Sequence, residues 1–275
     1  MNTSLSTKAA DWLAAATSRL KSAGIPSARL DCLLLLQDQT KLARIKLVSD
    51  SSAITLTSAQ LKALEHKLTR RAQHVPMAYI RHRTEFYGQE FYIDKRVLVP
   101  RPESEAFLEI LKTLPVNSGD ILADLGCGSG ALGISAKLLF PETKVDLIDI
   151  SRTALFVAEK NLQKFGLSAR TLKADLLAAN PTRYRILLAN LPYVPNGHKL
   201  NPAAEHEPRR AIYGGPDGLA LYRRLVNQLG EKKHLPNYLL IESFVSQQPS
   251  LEKLFTPLGY RLISRNGLVQ AFTNL

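Results

Sequence analysis

The chain has 275 residues, 45% of them hydrophobic and 22% charged, with two cysteines and a formal net charge of +12. That length and balance suit one larger folded domain with a smaller companion, and they exclude a disordered tail, a fibre and a disulfide framework. The positive charge draws acidic partners, whether protein or nucleic acid, but the densest basic clusters, Lys67 to Arg71 and Arg81 to Arg83, are too short to read as a nucleic-acid arm.

From Thr7 to Ala23 the residues Ala10, Leu13, Ala14 and Leu20 recur at near-helical spacing, and Gly24 and Pro26 then stop the helix. A second helix is expected over Ser27 to Gln37, with Leu30 and the run Leu33 to Leu36. A third is expected after Thr57, which forms a capping box with Gln60 before Leu61, Leu64 and Leu68. Residues 1–75 are thus expected to form a small helical domain.

Between Glu85 and Val99 the pattern turns aromatic and β-branched around turn formers. Phe86-Tyr87-Gly88, Phe91 to Asp94 and Val97 to Val99 predict strands in a hairpin linker over 76–102, closed by Pro100 and Pro102. Beyond it, over 103–275, the short apolar runs Ile121 to Leu125, Lys144 to Ile150, Arg185 to Ala189 and Asn237 to Glu242 alternate with helical stretches. Those stretches are Ala131 to Phe140, Ala154 to Lys164 and Leu219 to Leu229. Buried parallel strands read as apolar runs of this kind, so an α/β, doubly wound sheet is expected there.

No stretch approaches the roughly 18 apolar residues that span a bilayer, and no basic leader precedes an apolar block. A cytoplasmic protein is expected, without a membrane partner or a metal site, and with Cys32 and Cys127 as reduced thiols.

The segment Asp124-Leu125-Gly126-Cys127-Gly128-Ser129-Gly130 lies where the first of these strands meets a helix. Glycines there let the backbone turn sharply and approach a nucleoside, and Asp149 ends the next strand, where a carboxylate can accept from ribose hydroxyls. Gly126, Gly128 and Ala131 also satisfy the dinucleotide fingerprint, so this loop alone leaves NAD open.

The tetrapeptide Asn190-Leu191-Pro192-Tyr193 follows an apolar strand and should face the same crevice. An amide or aromatic amino nitrogen is a weak nucleophile because its lone pair is delocalised, so methylating it requires holding its N–H groups and aiming the lone pair. The Asn190 side-chain carbonyl and the Leu191 backbone carbonyl can accept those hydrogens, Pro192 stiffens the turn, and Tyr193 can stack on the flat group. A dehydrogenase has no use for such a tetrapeptide there, and the pattern favours S-adenosylmethionine over NAD.

The sequence resembles the HemK/PrmC family of protein-glutamine N5-methyltransferases that modify peptide chain release factors. The resemblance runs through Pro76 to Ile80, Glu85 to Gly88, Val97 to Glu105, Asp124 to Gly130, Asp149 to Ser151, Asn190 to Tyr193, Glu207-Pro208 and Gly214 to Leu219. It implies a class I S-adenosylmethionine-dependent methyltransferase fold with a mostly parallel seven-stranded sheet, behind a helical substrate-recognition domain. It also implies that Gly126, Cys127, Gly128, Ser129, Gly130, Asp149, Leu176 and Asn190 contact S-adenosylmethionine. The acceptor glutamine of a Gly-Gly-Gln motif would be held by Asn190, Leu191, Pro192 and Tyr193, with Asn190, Pro192 and Tyr193 as the catalytic set, and nucleic acid would not be required. Arg101 to Glu103 would help close the site, or would brace the linker as an ion pair. Leu191 stands where the family usually has proline, and Asn-Leu-Pro-Tyr is also typical of ribosomal RNA adenine dimethyltransferases. An adenine amino methyltransferase is therefore the alternative, although those enzymes place their helical domain last and here the helices come first.

Overall fold

The computed structural model describes residues 7–178 and 180–275 and divides into two compact units, Met1–His82 with Asn201–His206, and Arg83–Leu200 with Glu207–Leu275.

In the first unit, strand β1 (Thr7–Lys8) leads into helices α1 (Ala9–Ser22), α2 (Ala28–Thr40) and α3 (Arg44–Ser49). Strand β2 (Thr55–Leu56), then helices α4 (Ser58–Ala72) and α5 (Met77–Arg81), complete it. The first helix begins two residues later than its periodicity suggests, because Thr7 and Lys8 pair with Leu56 and Thr55 instead. Thr57 and Gln60 form the expected capping box, with Thr57 N–H donating to Gln60 Oε1 at 2.9 Å and Gln60 N–H to Thr57 Oγ1 at 3.2 Å. Leu13, Leu20, Leu35, Leu36, Leu64 and Leu68 make the core, and each leucine removed from water there contributes roughly 1.5–3 kcal/mol. One buried ion pair crosses it, Arg71 Nε to Asp31 Oδ2 at 2.7 Å.

The second unit opens with the hairpin β3 (Arg83–Phe86) and β4 (Gln89–Tyr92). Its two-residue turn, Tyr87-Gly88, has positive φ at both positions, 50° and 68°, the geometry that matches the twist of paired strands. The expected third strand at Val97 to Val99 does not form. Val99 N–H donates to the Glu207 carboxylate at 2.9 Å rather than to a neighbouring strand, so the β-branched residues line a loop.

Helix α6 (Ala106–Leu111), strand β5 (Ile121–Leu125), helix α7 (Ala131–Leu139), strand β6 (Lys144–Asp149), helix α8 (Arg152–Phe165) and strands β7 (Arg170–Lys173) and β8 (Ile186–Ala189) follow. The unit ends with helix α9 (Ala220–Gly230), strand β9 (Tyr238–Glu242), helix α10 (Gln248–Phe255) and the hairpin β10 (Arg261–Asn266) and β11 (Val269–Thr273). The seven-stranded sheet has the order β10-β11-β9-β8-β5-β6-β7; β10, β11 and β9 pair antiparallel and the rest parallel. This is the doubly wound sheet that the apolar runs predict.

Register decides where the functional residues emerge. Leu125 lies opposite both Ile148 and Ala189, and Ala189 lies opposite Ile241. The next residue along each strand is Gly126, Asp149, Asn190 or Glu242, so four sequence-distant positions leave the sheet side by side. Chain order reverses between β5 and β8, the place where open α/β sheets leave a crevice for ligands.

The hairpin is held to the sheet layer by Asn161 of α8, which is fully buried. Its Oδ1 accepts Tyr92 N–H at 2.7 Å, while its Nδ2 donates to Tyr92 O at 3.0 Å and to Ser129 O at 2.9 Å. One amide thus completes the backbone pairing of β4 and anchors the glycine turn.

Among the described residues no helix is long and apolar enough to cross a membrane.

Candidate active site

A cavity of about 520 Å³ opens at these strand ends, a size that suits a nucleoside-bearing ligand. Gly126, Gly128, Asp149, Leu176, Asn190, Leu191 and Pro192 all line it. Cys127, Ser129 and Gly130 form the turn behind that wall. Gly130 N–H closes the turn on Cys127 O at 2.7 Å, and Gly126 and Cys127 N–H both donate to Ile148 O, at 2.8 and 3.0 Å. The three loop glycines have φ of 69°, 54° and 76°, which only glycine adopts without strain. The Cys127 thiol is pushed well up by burial and by the nearby Asp124 and Asp149 charges, so it is packing rather than a nucleophile.

Asp149 ends β6 with Oδ2 accepting Gly128 N–H at 2.9 Å and Oδ1 accepting Ser151 N–H at 2.8 Å. Burial raises its pKa, and the two backbone donors and the Arg210 charge pull the other way. Each oxygen retains a lone pair toward the cavity, the arrangement needed to receive a diol. Ile150 and Leu176 supply flat apolar walls beside it. Leu176 has φ 54°, a strained value for a branched side chain, costing roughly 1–3 kcal/mol. Gln228 holds it there by accepting Leu177 N–H at 2.8 Å and donating to Asp175 O at 3.0 Å. The residues present therefore fit an adenosyl cofactor: bare backbone at Gly126 and Gly128, a held carboxylate for the ribose and apolar faces for the base.

Asp124 sits behind the glycine turn, accepting Gly133 N–H at 2.8 Å on Oδ2. Burial, with the Asp149 charge adding to it, pushes its pKa up to about 7. The folded chain therefore holds this proton over pH values, roughly 4 to 7, at which an unfolded aspartate has released it. Stability from this group is fully present below about pH 4 and is lost as pH rises through 7. Asp124→Asn is expected to flatten the wild-type fall in unfolding free energy between pH 5 and pH 8 by on the order of 2 kcal/mol, measured by urea denaturation. Parallel curves for the two proteins would remove Asp124 as the source.

At the other side of the cavity, Asn190 Nδ2 donates to Ser104 Oγ at 2.7 Å, and Ser104 Oγ donates to Glu242 Oε2 at 2.6 Å. Tyr193 OH donates to Glu242 Oε1 at 2.9 Å, and its ring meets Phe244 edge-on, with centroids 5.2 Å apart. Tyr193, the last residue of the tetrapeptide, is thus held behind the wall and is not among the residues lining the cavity, unlike Asn190, Leu191 and Pro192. Burial and the Glu242 charge raise the Tyr193 phenol, which keeps it a neutral donor. Burial likewise raises Glu242, with the two hydroxyl donors opposing.

The tetrapeptide is clamped from outside. Val194 N–H donates to Ile212 O at 3.1 Å, Gly214 N–H to Val194 O at 2.9 Å, and Gln247 Nε2 to Tyr193 O at 2.8 Å. Leu191 packs inward at 2% exposure, where a side chain on Gly126 would meet its Cδ2 at 3.3 Å. Arg101 and Glu103 do not line the cavity, and Arg101 pairs with the buried Glu207 at 2.6 Å rather than with Glu103. That pair braces the loop leading from Val97 to Pro102. Sequence reading missed Arg96, Arg210, Tyr213 and Arg224 on the cavity wall, and Ser104 and Glu242 behind it. The wall residues come from loops without periodicity, although Glu207 and Gly214 to Leu219 marked that neighbourhood.

Comparison with known proteins bears on the whole chain. The PrmC N-terminal domain matches residues 11–81, and the methyltransferase small domain matches residues 103–207. The release factor glutamine methyltransferase of Deinococcus radiodurans is 31% identical over 254 residues, covering 91% of each chain. That of Caulobacter vibrioides is 34% identical over 255 residues, covering 89% of this chain and 87% of its own. Among solved structures, the hMettl16 catalytic domain in complex with MAT2A 3'UTR hairpin 6 superposes with a TM-score of 0.56 at 15% identity. It covers 76% of this chain and 82% of that one, a likeness of fold. With matches this long, spanning the helical unit as well as the sheet, the chain belongs to the release factor glutamine methyltransferase family.

Proposed function

We propose that this chain transfers a methyl group from S-adenosylmethionine to the side-chain amide nitrogen of the glutamine in the Gly-Gly-Gln motif of peptide chain release factors. The observation that carries the reading is the Asn190 amide, anchored through its nitrogen at the end of β8 so that its oxygen is left for a ligand beside the Gly126 and Asp149 pocket. When bound, S-adenosylmethionine supplies an electrophilic methyl on a positive sulfonium. Gly126, Gly128, Asp149, Ile150 and Leu176 would hold its adenosyl part, with Cys127, Ser129 and Gly130 shaping the turn.

Asn190 Oδ1 and the Leu191 carbonyl accept the two N–H bonds of the acceptor amide, which turns its nitrogen toward the methyl. Pro192 fixes that carbonyl's direction, and Tyr193, held by Glu242 and Phe244, braces the tetrapeptide from behind. Transfer from the bound cofactor would leave it a neutral thioether, and the methylated nitrogen would release one proton to solvent, so the residues here need supply no strong base. Positioning is the main contribution of the protein, an effect that reaches several kcal/mol in well-oriented reactions. The +12 charge steers an acidic protein partner toward the enzyme. Nucleic acid is not required, and the site of action is the cytoplasm.

The adenine alternative rests on Leu191 and on the net charge of +12, which suits a nucleic acid as well as an acidic protein. Leu191 is turned into the core against Gly126, so its side chain does not recognise the acceptor, and the helical domain stands ahead of the catalytic one as in the glutamine enzymes. Incubating the enzyme with purified release factor and labelled S-adenosylmethionine, followed by peptide mass spectrometry, is expected to add one methyl at that glutamine. Label in ribosomal RNA with none in the release factor would overturn the proposal.

A further inference from the structure

Ser104 and Glu242 lie 138 residues apart in sequence, and both are buried, at 3% and 1% exposure, behind the wall that carries Asn190. Two hydroxyls converge on the two oxygens of Glu242, Ser104 at 2.6 Å and Tyr193 at 2.9 Å. The Asn190 amide nitrogen in turn sits 2.7 Å from the Ser104 oxygen.

We propose that Ser104 and Glu242 are positioning residues that fix the polarity of the Asn190 amide, so that the site presents an oxygen that accepts and favours a group that donates, as the N–H bonds of an amide do. This rests on the function proposed above, because it assigns what selects the amide at that same site.

A hydroxyl has one proton, and a carboxylate has none to offer. With its proton given to Glu242, Ser104 can only accept from Asn190, and only the nitrogen end of that amide can donate. Were Asn190 reversed, its oxygen would face the Ser104 lone pairs at 2.7 Å, two acceptors with no hydrogen between them. Its NH2 would then face the acceptor NH2, two donors in opposition. Turning the Ser104 proton toward a reversed Asn190 would strip buried Glu242 Oε2 of its donor, because the Tyr193 hydroxyl is already given to Oε1. Glu242 reaches this position because β9 and β8 run in register, Ile241 against Ala189. Ser104 arrives on the single helical turn Pro102–Glu105 that follows the loop braced by Glu207.

Three variants separate this from simple packing. Ser104→Thr keeps the hydroxyl, Ser104→Val has the same shape without it, and Glu242→Gln replaces an acceptor oxygen by a donor. With release factor as substrate, Ser104→Thr is expected within about threefold of wild-type kcat. Ser104→Val and Glu242→Gln should lose about tenfold or more in kcat, with KM for the release factor and cofactor affinity within about threefold. In proteins labelled with 15N-asparagine, the Asn190 side-chain signals, assigned by their loss in Asn190→Ala, should coincide in wild type and Ser104→Thr and move in the other two. Thermal melts identify any variant that fails to fold, and Glu242→Gln, nearly isosteric, stands in if Ser104→Val does. Equal kcat for Ser104→Val and Ser104→Thr, or Asn190 signals unmoved by either substitution, would overturn the proposal. If wild type leaves the release factor unmethylated, the functional reading fails instead, and the Asn190 signals alone decide the positioning.

Discussion

Asn190→Ala is expected to lower kcat roughly 100- to 1,000-fold while the affinity for S-adenosylmethionine changes by less than about tenfold. The asymmetry follows from what the side chain touches. Its nitrogen is committed to Ser104, and in the proposed function its oxygen accepts from the reacting amide, so its contribution is made mainly while that amide nitrogen is being alkylated. The residues proposed to grip the cofactor, the glycine turn, Asp149 and Leu176, are left in place by the substitution. Single-turnover methylation with a release factor, beside calorimetric titration of the cofactor, measures both quantities. Unchanged kcat would take Asn190 out of the mechanism, and an equal loss in cofactor affinity would make it a cofactor ligand first.

Gly214→Ala is expected to have an effect of similar size by a wholly steric route. A Cβ at Gly214 would lie 2.2 Å from Pro192 O and 2.4 Å from Gly218 O, backbone atoms with no flexible end to yield. The strap Ile212–Gly214 that clamps the tetrapeptide must separate from it, which moves the carbonyls proposed to hold the acceptor. A displacement near 1 Å costs about 100-fold in rate, and the overpacking itself costs roughly 1–3 kcal/mol of stability. Gly230→Ala is the matched control: at the end of α9 the new Cβ meets only Leu258, at an ordinary 3.7 Å. Kinetics and urea melts on the two variants should diverge. Wild-type turnover in Gly214→Ala would show that the strap can shift without disturbing the tetrapeptide.

Parts of this site could be read before any coordinates, and the reasons are physical. β5, β6, β8 and β9 are largely buried, so their sequences read as mainly apolar runs, broken only by Asp124 in β5 and Asp146 in β6, and Gly126, Asp149 and Asn190 stand at or just past their ends. β7 and β10 were not legible from such runs, because edge strands covered on one side carry polar residues: Arg170-Thr171-Leu172-Lys173 alternates out of any apolar pattern, and Arg261–Asn266 is largely exposed. β11 is fully buried yet contains Gln270, which interrupts its run. Val97 to Val99 misled in the opposite direction. Local preference there favours a strand, but a carboxylate more than 100 residues downstream takes the backbone donor that a neighbouring strand would have used. Ser104 lies in the Val97 to Glu105 stretch and Glu242 ends an apolar run, but nothing local shows that they meet, since that pairing is made only when the chain folds.

Asn161 has a bearing on how this enzyme could be cut and recombined. A catalytic fragment begun at residue 103, after the prolines, would look clean in sequence, yet it would strip a fully buried amide of both Tyr92 partners while its third bond still holds the glycine turn. Chimeras that exchange the helical unit should therefore place the junction ahead of Arg83 and carry the hairpin along with the sheet, treating it as the first strand pair of the transplanted module.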